Sequence, residues 1–529
     1  MQIDIIDEPS TLESLQAHWQ ALYDTDPEAN YFLSWTWMSA WLKRVQAKWL
    51  VLAARPNPGR APVALLPILL VTKMNPEEGF YNEIHMGGHY LSGYTGFLCD
   101  PAWQDRAIPA IAYALRRLNW TFLFLNGVNA SPKRLALFTG ALPKTKFTIR
   151  TKPRIDAKDK FNYSIYPRVI LKDSMDGYLA AAMGPATRKN ARSGLRKLDS
   201  GEYRVTHADA ATLERDLGVL MDLWATKWTP IKGDANTRMQ AEDHRIMLRA
   251  AFTAGDALVA VLWQGDTPLA GQGSLIDRKN NSVICLVGSR DLAVRKPAPS
   301  FLLHLHCIRW AIEKGFAVYD MQLGNHTYKY DFGPVEHVID SHIVTTSNRR
   351  NLRGQIEPRC LPTVFERVKF LIGSGQADKA VMGCQQILEV DPKHAGARAI
   401  LAQFQDESAK AARIKQAGEL LREGKPEEAE RQLQALATID RENFIVRYLL
   451  GLALLLRKDH AAAQSHLQAA VRLNPEMAAA HNNLGCCQLA LGDPATALAS
   501  FEQAITLDPD YVQAQTNRDQ AQLALDRNR

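Results

Sequence analysis

Apolar positions fall in short blocks and alternations over the first 350 residues and at helical spacing over the remainder. Segments 258–263, 269–276 and 282–288 have strand length, and the turns between them carry Gly265-Asp266 and Lys279-Asn280-Asn281. Those residue types accept the backbone angles of tight hairpins, so the pattern predicts an antiparallel meander. Pro299-Ser300 then opens an amphipathic helix through Lys314-Gly315, and 317–323 returns as a strand. Ahead of the meander, helices are predicted over 175–198, broken at Gly184-Pro185, and over 211–228.

The first 165 residues repeat this succession. Helices at 12–23 and 35–45 precede strands at 49–54 and 63–72, which are joined through a turn bearing Pro56, Pro58 and Gly59. Extended segments near 80–86 and 93–99, a helix through 103–118 and a strand at 121–125 follow. Two such successions predict α/β (α+β) lobes at 1–165 and 166–350, with a cleft between them.

Beyond residue 350 a fixed period takes over. Gly451 recurs as Gly485, Ala463 as Ala497, Ala470 as Ala504 and Pro475 as Pro509, each pair 34 residues apart. Ala429 and Leu433 fit one period earlier, and a more divergent unit is read at 361–394 with Gly375 at its turn. The small residues let two helices of a hairpin approach, Leu467 or Phe501 fills the gap, and the prolines stop the second helix. This resembles the tetratricopeptide repeat, so 361–529 is expected to be an all-α solenoid closed by a polar capping helix from Val512. Such an array implies a concave surface for a protein partner, or else a spacer arm.

Composition narrows the class. The 529 residues are 46% hydrophobic and 22% charged, a folded-protein mix needing more than one core. Pro67 interrupts the longest apolar run, so no membrane span is expected, and the acidic start of the chain predicts a cytoplasmic protein. The seven cysteines are scattered, which predicts reduced thiols and no metal site. The net charge of +7 lies in the first 350 residues, too dilute to predict a nucleic-acid partner but suited to a polyanionic small molecule. Walker, G-x-S-x-G, H-E-x-x-H and Rossmann motifs are missing from the sequence.

The order of elements, together with Asp320, Gly324, Tyr328 and Lys329 in the stretch 315–333, resembles the tandem GNAT-fold acyltransferases of the CelD/BcsL type. These are BioF-like proteins related to the FemAB aminoacyltransferases. The resemblance covers about 1–345 and implies acyl transfer from acetyl-CoA or another acyl-CoA to a small-molecule or saccharide acceptor in cell-envelope or exopolysaccharide production. It implies no metal.

For that chemistry Asp320 is the expected base, Tyr328 the proton donor to the leaving thiolate and Lys329 the support of the oxyanion. The alternative is that Asp320 caps a turn and Tyr328 packs. The junction 289–301 offers Arg290, Arg295, Lys296 and Ser300 to donor phosphates, although Pro297 and Pro299 stand where simple GNAT enzymes have a glycine-rich loop. It is read as a cofactor cradle or a basic connector. Arg188 and Arg192 share a helical face with Arg196, as a cationic ridge for phosphates or an ordinary solvated face. His326, Tyr94 in a loop expected to be exposed, and Trp37 are the substrate-binding candidates, with core packing the alternative for Trp37. FemAB-like aminoacyl transfer and a non-catalytic scaffold remain as the rival functions.

Overall fold

The structure is a computed structural model and describes residues 1–155, 160–294, 298–374 and 376–527. Two compact units divide it, Met1–Pro392 and Lys393–Arg529. In the first, β1 (Gln2–Ile6), α1 (Pro9–Glu13), α2 (Gln16–Thr25) and α3 (Trp35–Arg44) lead into the hairpin strands β2 (Lys48–Arg55), β3 (Ala64–Asn75) and β4 (Gly79–Met86). Next come β5 (Leu98–Cys99), α4 (Gln104–Ala114), β6 (Phe122–Leu125), α5 (Pro132–Gly140) and β7 (Phe147–Lys152).

The second lobe runs β8 (Ile165–Ile170), α6 (Met175–Ala182), α7 (Pro185–Asp199), β9 (Arg204–His207), α8 (Leu213–Lys232) and α9 (Asp234–Thr253). Its meander is β10 (Ala257–Gln264), β11 (Thr267–Asp277) and β12 (Ser282–Arg290), followed by α10 (Pro299–Glu313) and β13 (Val318–Asp320). A 3-10 turn at Thr327–Phe332 precedes β14 (Val335–Val338) and β15 (Ser341–Thr346). Gly184 and Pro185 separate α6 from α7, because proline at the first helical position starts a helix but cannot continue one.

Two mixed sheets result. The first has the order β1-β2-β3-β4-β6-β15-β7, with β5 on β3, and the second β14-β8-β13-β12-β11-β10-β9. In each, an antiparallel meander meets one parallel neighbour across a helix: β4 with β6 around α4, and β12 with β13 around α10. The strand β15 lies in the first sheet although it follows the second lobe in the chain. It carries the alternation Ile343, Val344, Thr345, Thr346, with Val344 buried, and fills the gap between β6 and β7. One continuous core, from Trp19, Trp37 and Leu69 to Leu217, Val259 and Ile284, joins the two sheets.

The first unit also holds α11 (Leu361–Gly373) and α12 (Ala377–Val390). Gln386 of α12 accepts from the Phe80 amide at 2.7 Å and donates to its carbonyl at 3.1 Å, pinning the helix to β4 as an added strand would. All seven cysteines are free, and Gly375, expected at the turn between these helices, lies outside the described residues.

The second unit is helical throughout: α13 (Ala395–Arg422), α14 (Pro426–Ile439), α15 (Phe444–Leu456), α16 (His460–Leu473), α17 (Ala478–Ala490), α18 (Pro494–Leu507) and α19 (Val512–Arg527). Here the steric reading of the repeat is visible. A Cβ at Gly451 would fall 2.6 Å from Leu467 Cγ, and one at Gly485 2.6 Å from the Phe501 ring. Helices α16 and α18 end at Leu473 and Leu507, just before Pro475 and Pro509. Gly451→Val is therefore expected to cost about 2 kcal/mol, the scale of an overpacked core. The check is a lower urea midpoint for the helical circular-dichroism signal of the full chain.

Candidate active site

The site begins with a strand that stops short. Strands β12 and β13 pair in parallel only at Ser282–Val318, Val283–Tyr319 and Ile284–Asp320, after which β12 runs on to Arg290 and β13 ends. The chain leaves β13 because Gln322 takes φ +61° and Gly324 φ +95°, left-handed angles that turn it out of the sheet. A fork opens between the strands, and the edge of β12 beyond Ile284 has no strand on that side among the described residues. Opposite β11 the register slips, with Cys285 facing Ser274 and Val287 facing Gly273, which leaves Leu286 as a β-bulge at the fork.

Asp320 sits at the crotch, 3% exposed. Its Oδ1 accepts from the Gln322 amide at 2.8 Å and from Gln322 Nε2 at 3.3 Å. Its Oδ2 accepts from the Tyr94 hydroxyl and lies 3.3 Å from Arg168 Nε. Four donors fill the lone-pair positions of a carboxylate, so a substrate proton reaches Asp320 by way of one of them. Arg168 Nη2 also donates to the Tyr94 oxygen at 3.0 Å, and the Tyr94 ring stacks on Tyr166 at 4.7 Å. Burial first, and then the Asp320 charge, hold the Tyr94 phenol well above its ordinary value, so it stays protonated.

These groups border a cleft of about 440 Å³ between the sheets, lined also by Asn30, Asn129, Asn280, Ser282 and His337. Three amides and the hydroxyls of Tyr94, Ser131 and Ser282 share that lining with the carboxylates of Glu28, Asp277 and Asp320 and with apolar residues such as Ile284 and Val318. The buried Asn30 Nδ2 has no hydrogen-bond partner among the described residues, which leaves it a donor for a polar acceptor.

On the other face of the fork lie Cys285, Tyr319, His304, Tyr328 and Lys329. The Tyr319 hydroxyl meets His304 Nδ1 at 2.8 Å and accepts from Gln272 Nε2 at 2.7 Å. Lys329 is buried and donates to the carbonyls of Gln322 and Leu323 at 2.8 and 2.7 Å. One N–H of the three is left. Burial lowers its ammonium to about 8, with Cys285 and Asp320 pulling the other way. Burial and the Lys329 charge keep His304 neutral, at about 4. Tyr328 is 49% exposed, stacks on His304 at 6.1 Å, and is held above the ordinary phenol value by desolvation and Cys285.

The remaining expected residues scatter. Arg290 turns its guanidinium onto the carbonyls of Asp291 and Val294, and Ser300 stands in the first turn of α10. Arg295 and Lys296 lie outside the described residues. Arg188 donates to the carbonyls of Ala180 and Met183 at the end of α6, and Arg192 pairs with Asp176. Both secure the α6–α7 corner. His326 packs its ring 3.9 Å from that of Phe161.

Two expectations are corrected. Trp37 is 1% exposed, its Nε1 donates to Ser92 Oγ, and Tyr31 and Phe32 crowd its ring, so it has no face for a substrate. The Tyr94 loop is not an exposed flap: Tyr94 is 2% exposed, wedged between the sheets, and is one of the residues lining the cleft. Arg168 and Tyr166 are not legible beside Asp320 because strand β8 is far from it in sequence, and Gln322, two residues from Asp320, is drawn onto it only by the turn that ends β13. The side-chain amide of Gln322 packs onto Gly93, where a Cβ would lie 1.4 Å from Gln322 Oε1.

Comparison with known families bears on the fork directly. Residues 185–330 match the acetyltransferase (GNAT) domain. Residues 414–464 and 459–512 match the tetratricopeptide repeat. No curated protein matches the chain. Among solved structures, FemX aligns with 65% of this chain and 97% of its own at 11% identity and a TM-score of 0.44. A conserved protein of unknown function from Bacteroides thetaiotaomicron aligns with 65% and 100% at 10% identity and 0.41. The tetratricopeptide protein YrrB aligns with 30% and 90% at 18% identity and 0.21. The acetyltransferase domain thus opens at α7 and closes on the turn bearing Tyr328 and Lys329. Tyr94 and Arg168, the partners of Asp320, come from outside it. Among the described residues no helix is long and apolar enough to cross a membrane.

Proposed function

We propose that the chain is an acyltransferase that takes its acyl group from an acyl-CoA and passes it to a hydroxyl or amine of an envelope- or exopolysaccharide-related acceptor. The repeats dock a protein partner. The observation that carries this reading is the fork between β12 and β13, where Asp320 faces the cleft and Tyr328 and Lys329 the opposite side. A thioester substrate threading the fork would meet an acceptor seated in the cleft.

In this reading the acceptor hydroxyl or amine donates to the Tyr94 oxygen while the Tyr94 proton passes to Asp320. The acceptor atom bonds to the thioester carbonyl, and the remaining N–H of Lys329 faces the oxygen that gains charge. The carbon–sulfur bond then breaks, and Tyr328 gives its proton to the sulfur. Arg168 keeps the Asp320 charge compensated throughout. Asn30, Asn129 and Asn280 in the cleft support a polyhydroxylated acceptor, since amide groups both donate and accept.

Thiol release from acetyl-CoA in the presence of a saccharide panel tests the reading. Turnover supports it; transfer from aminoacyl-tRNA instead would favour the FemAB-like alternative, and silence with both donors a scaffold. Lys329 adds a pH signature. Its ammonium, lowered to about 8, loses its proton as pH rises, so activity should fall along an alkaline limb centred near pH 8. Lys329→Arg, whose charge persists, should remove that limb from the kcat profile.

A further inference from the structure

A larger cavity lies away from the fork, where β4 and β6 begin. It holds about 940 Å³ and is walled by the β3–β4 turn, the segment 348–354 after β15, and α12. The walls are fixed in place. Asn351 Oδ1 accepts from the Asn82 amide at 2.9 Å and from the Thr121 hydroxyl at 3.0 Å, which ties the segment to β4 and to the start of β6, while Gln386 holds α12 on Phe80. The lining mixes signs: two arginines face three glutamates, and Arg350 pairs with Glu78 at 3.3 Å. That balance suits a neutral ligand better than a polyanion. Arg349, Gln385 and Glu389 offer a guanidinium, an amide and a carboxylate, planar groups that can each span two adjacent hydroxyls.

Tyr81 and Phe122 line the same cavity, and from them a strip of rings follows the two parallel strands. Ring centres lie 5.9 Å apart from Tyr81 to Phe122, 6.0 Å from Phe122 to Phe124 and 4.7 Å from Phe124 to His85. All four side chains are partly exposed, and a further 4.7 Å leads from His85 to His89 in the loop that carries Tyr94. His85 stands opposite Leu69, so the strip occupies the face of the first sheet whose core joins it to the second. Both strands run toward the cleft, since the segments after them carry Tyr94 and Asn129, which line it. Midway along, His85 Nε2 meets Glu83 Oε2 at 2.9 Å while its Nδ1 has no hydrogen-bond partner among the described residues, an unmet polar atom that a ligand hydroxyl would satisfy.

We infer that the cavity and the ring strip form a binding track for a linear, neutral saccharide. The negative faces of aromatic rings attract the C–H side of a pyranose, and the planar polar groups take its hydroxyls. The track holds the body of an acceptor chain whose reacting end lies in the cleft. It rests on the saccharide-acceptor reading above and adds to it a preference for chains over single sugars.

Calorimetry of the full chain with cellopentaose and N-acetylchitopentaose, against glucose and N-acetylglucosamine, tests the track. One of the pentasaccharides should bind at least about tenfold more tightly than its monomer. Tyr81→Leu/Phe122→Leu, which keeps apolar bulk but no flat ring, should weaken that binding roughly tenfold, and Tyr81→Phe/Phe122→Tyr should retain it. Near-ultraviolet circular dichroism checks folding. If the leucine variant unfolds, Arg349→Ala/Gln385→Ala at exposed positions decides, with a loss of about threefold expected. No pentasaccharide binding by the unaltered protein, binding no tighter than that of the monomer, or affinity unchanged in the variants would overturn the track. Thiol release from acetyl-CoA separates the track from the activity. Pentasaccharide binding that the variants lose, in a protein that releases no thiol, upholds the track and discards the acyl-CoA reading. Turnover without chain-dependent binding keeps that reading and discards the track.

Discussion

Asp320→Asn and Tyr94→Phe are each expected to lower turnover with acetyl-CoA about 100-fold, the scale of a lost acid–base group. Tyr94→Phe is the cleaner of the two. The ring keeps its stacking on Tyr166, and Arg168 stays within reach of Asp320, so the fold survives while the proton path is cut. Asp320→Asn removes the charge that compensates Arg168 and turns one acceptor oxygen into a donor facing other donors. The measurement is steady-state thiol release, with near-ultraviolet circular dichroism as the check on folding. Turnover within threefold of the unaltered protein in Tyr94→Phe would remove the relay from the mechanism. A parallel loss in Asp320→Asn alone would leave Asp320 as an electrostatic partner of Arg168.

The largest effect on stability is expected far from the fork, at Arg134. This side chain of α5 is 1% exposed. Its guanidinium reaches Asp26 Oδ1 and Oδ2 at 2.8 and 2.9 Å, Glu28 at 3.2 Å and the Cys99 carbonyl at 3.0 Å. Asp26 in turn accepts from the amides of Cys99 and Glu28. Arg134→Met would fill much of the space yet leave the Asp26 carboxylate buried and uncompensated. A loss of about 3–5 kcal/mol is expected, the range for breaking a buried pair from one side. Equilibrium urea unfolding followed by tryptophan fluorescence checks it. A loss below about 1 kcal/mol would mean that the backbone donors around Asp26 suffice to hold its charge.

How far the sequence could be read is clearest at individual elements. The meander β10–β12 was legible because its strands are bounded by Gly265-Asp266 and Lys279-Asn280-Asn281, turn residues whose backbone tolerance acts locally. The break at Gly184-Pro185 was legible for the same reason. The helix α9 was not foreseen: its polar composition buries only Thr237, Asp243, Met247, Leu248 and Ala251, too few apolar positions to stand out without knowing what they pack against. Likewise β15 reads as six unremarkable residues, and its place between β6 and β7 is settled by two partners distant in the chain.

The candidate site divides along the same line. Asp320, Tyr328 and Lys329 stand within one short stretch and could be picked out together. Their surroundings could not. Arg168 lies on another strand and Tyr94 in the other lobe, while Lys329 spends two of its protons on nearby carbonyls. Only packing shows that Trp37 is enclosed and that Arg188 closes a helix end.

What the linear order of residues determined by itself was local or periodic: hairpin turns, helix starts and stops, and a repeat of 34 residues in which glycine faces leucine or phenylalanine. Backbone sterics and side-chain size act over a few positions, and a period repeats that local information until it is unmistakable. The tertiary structure decided which strand ends pair and which part, and hence where the fork lies. It also decided which charges are buried beside which. Those outcomes depend on desolvation and contact between segments hundreds of residues apart, such as Tyr94 and Asp320.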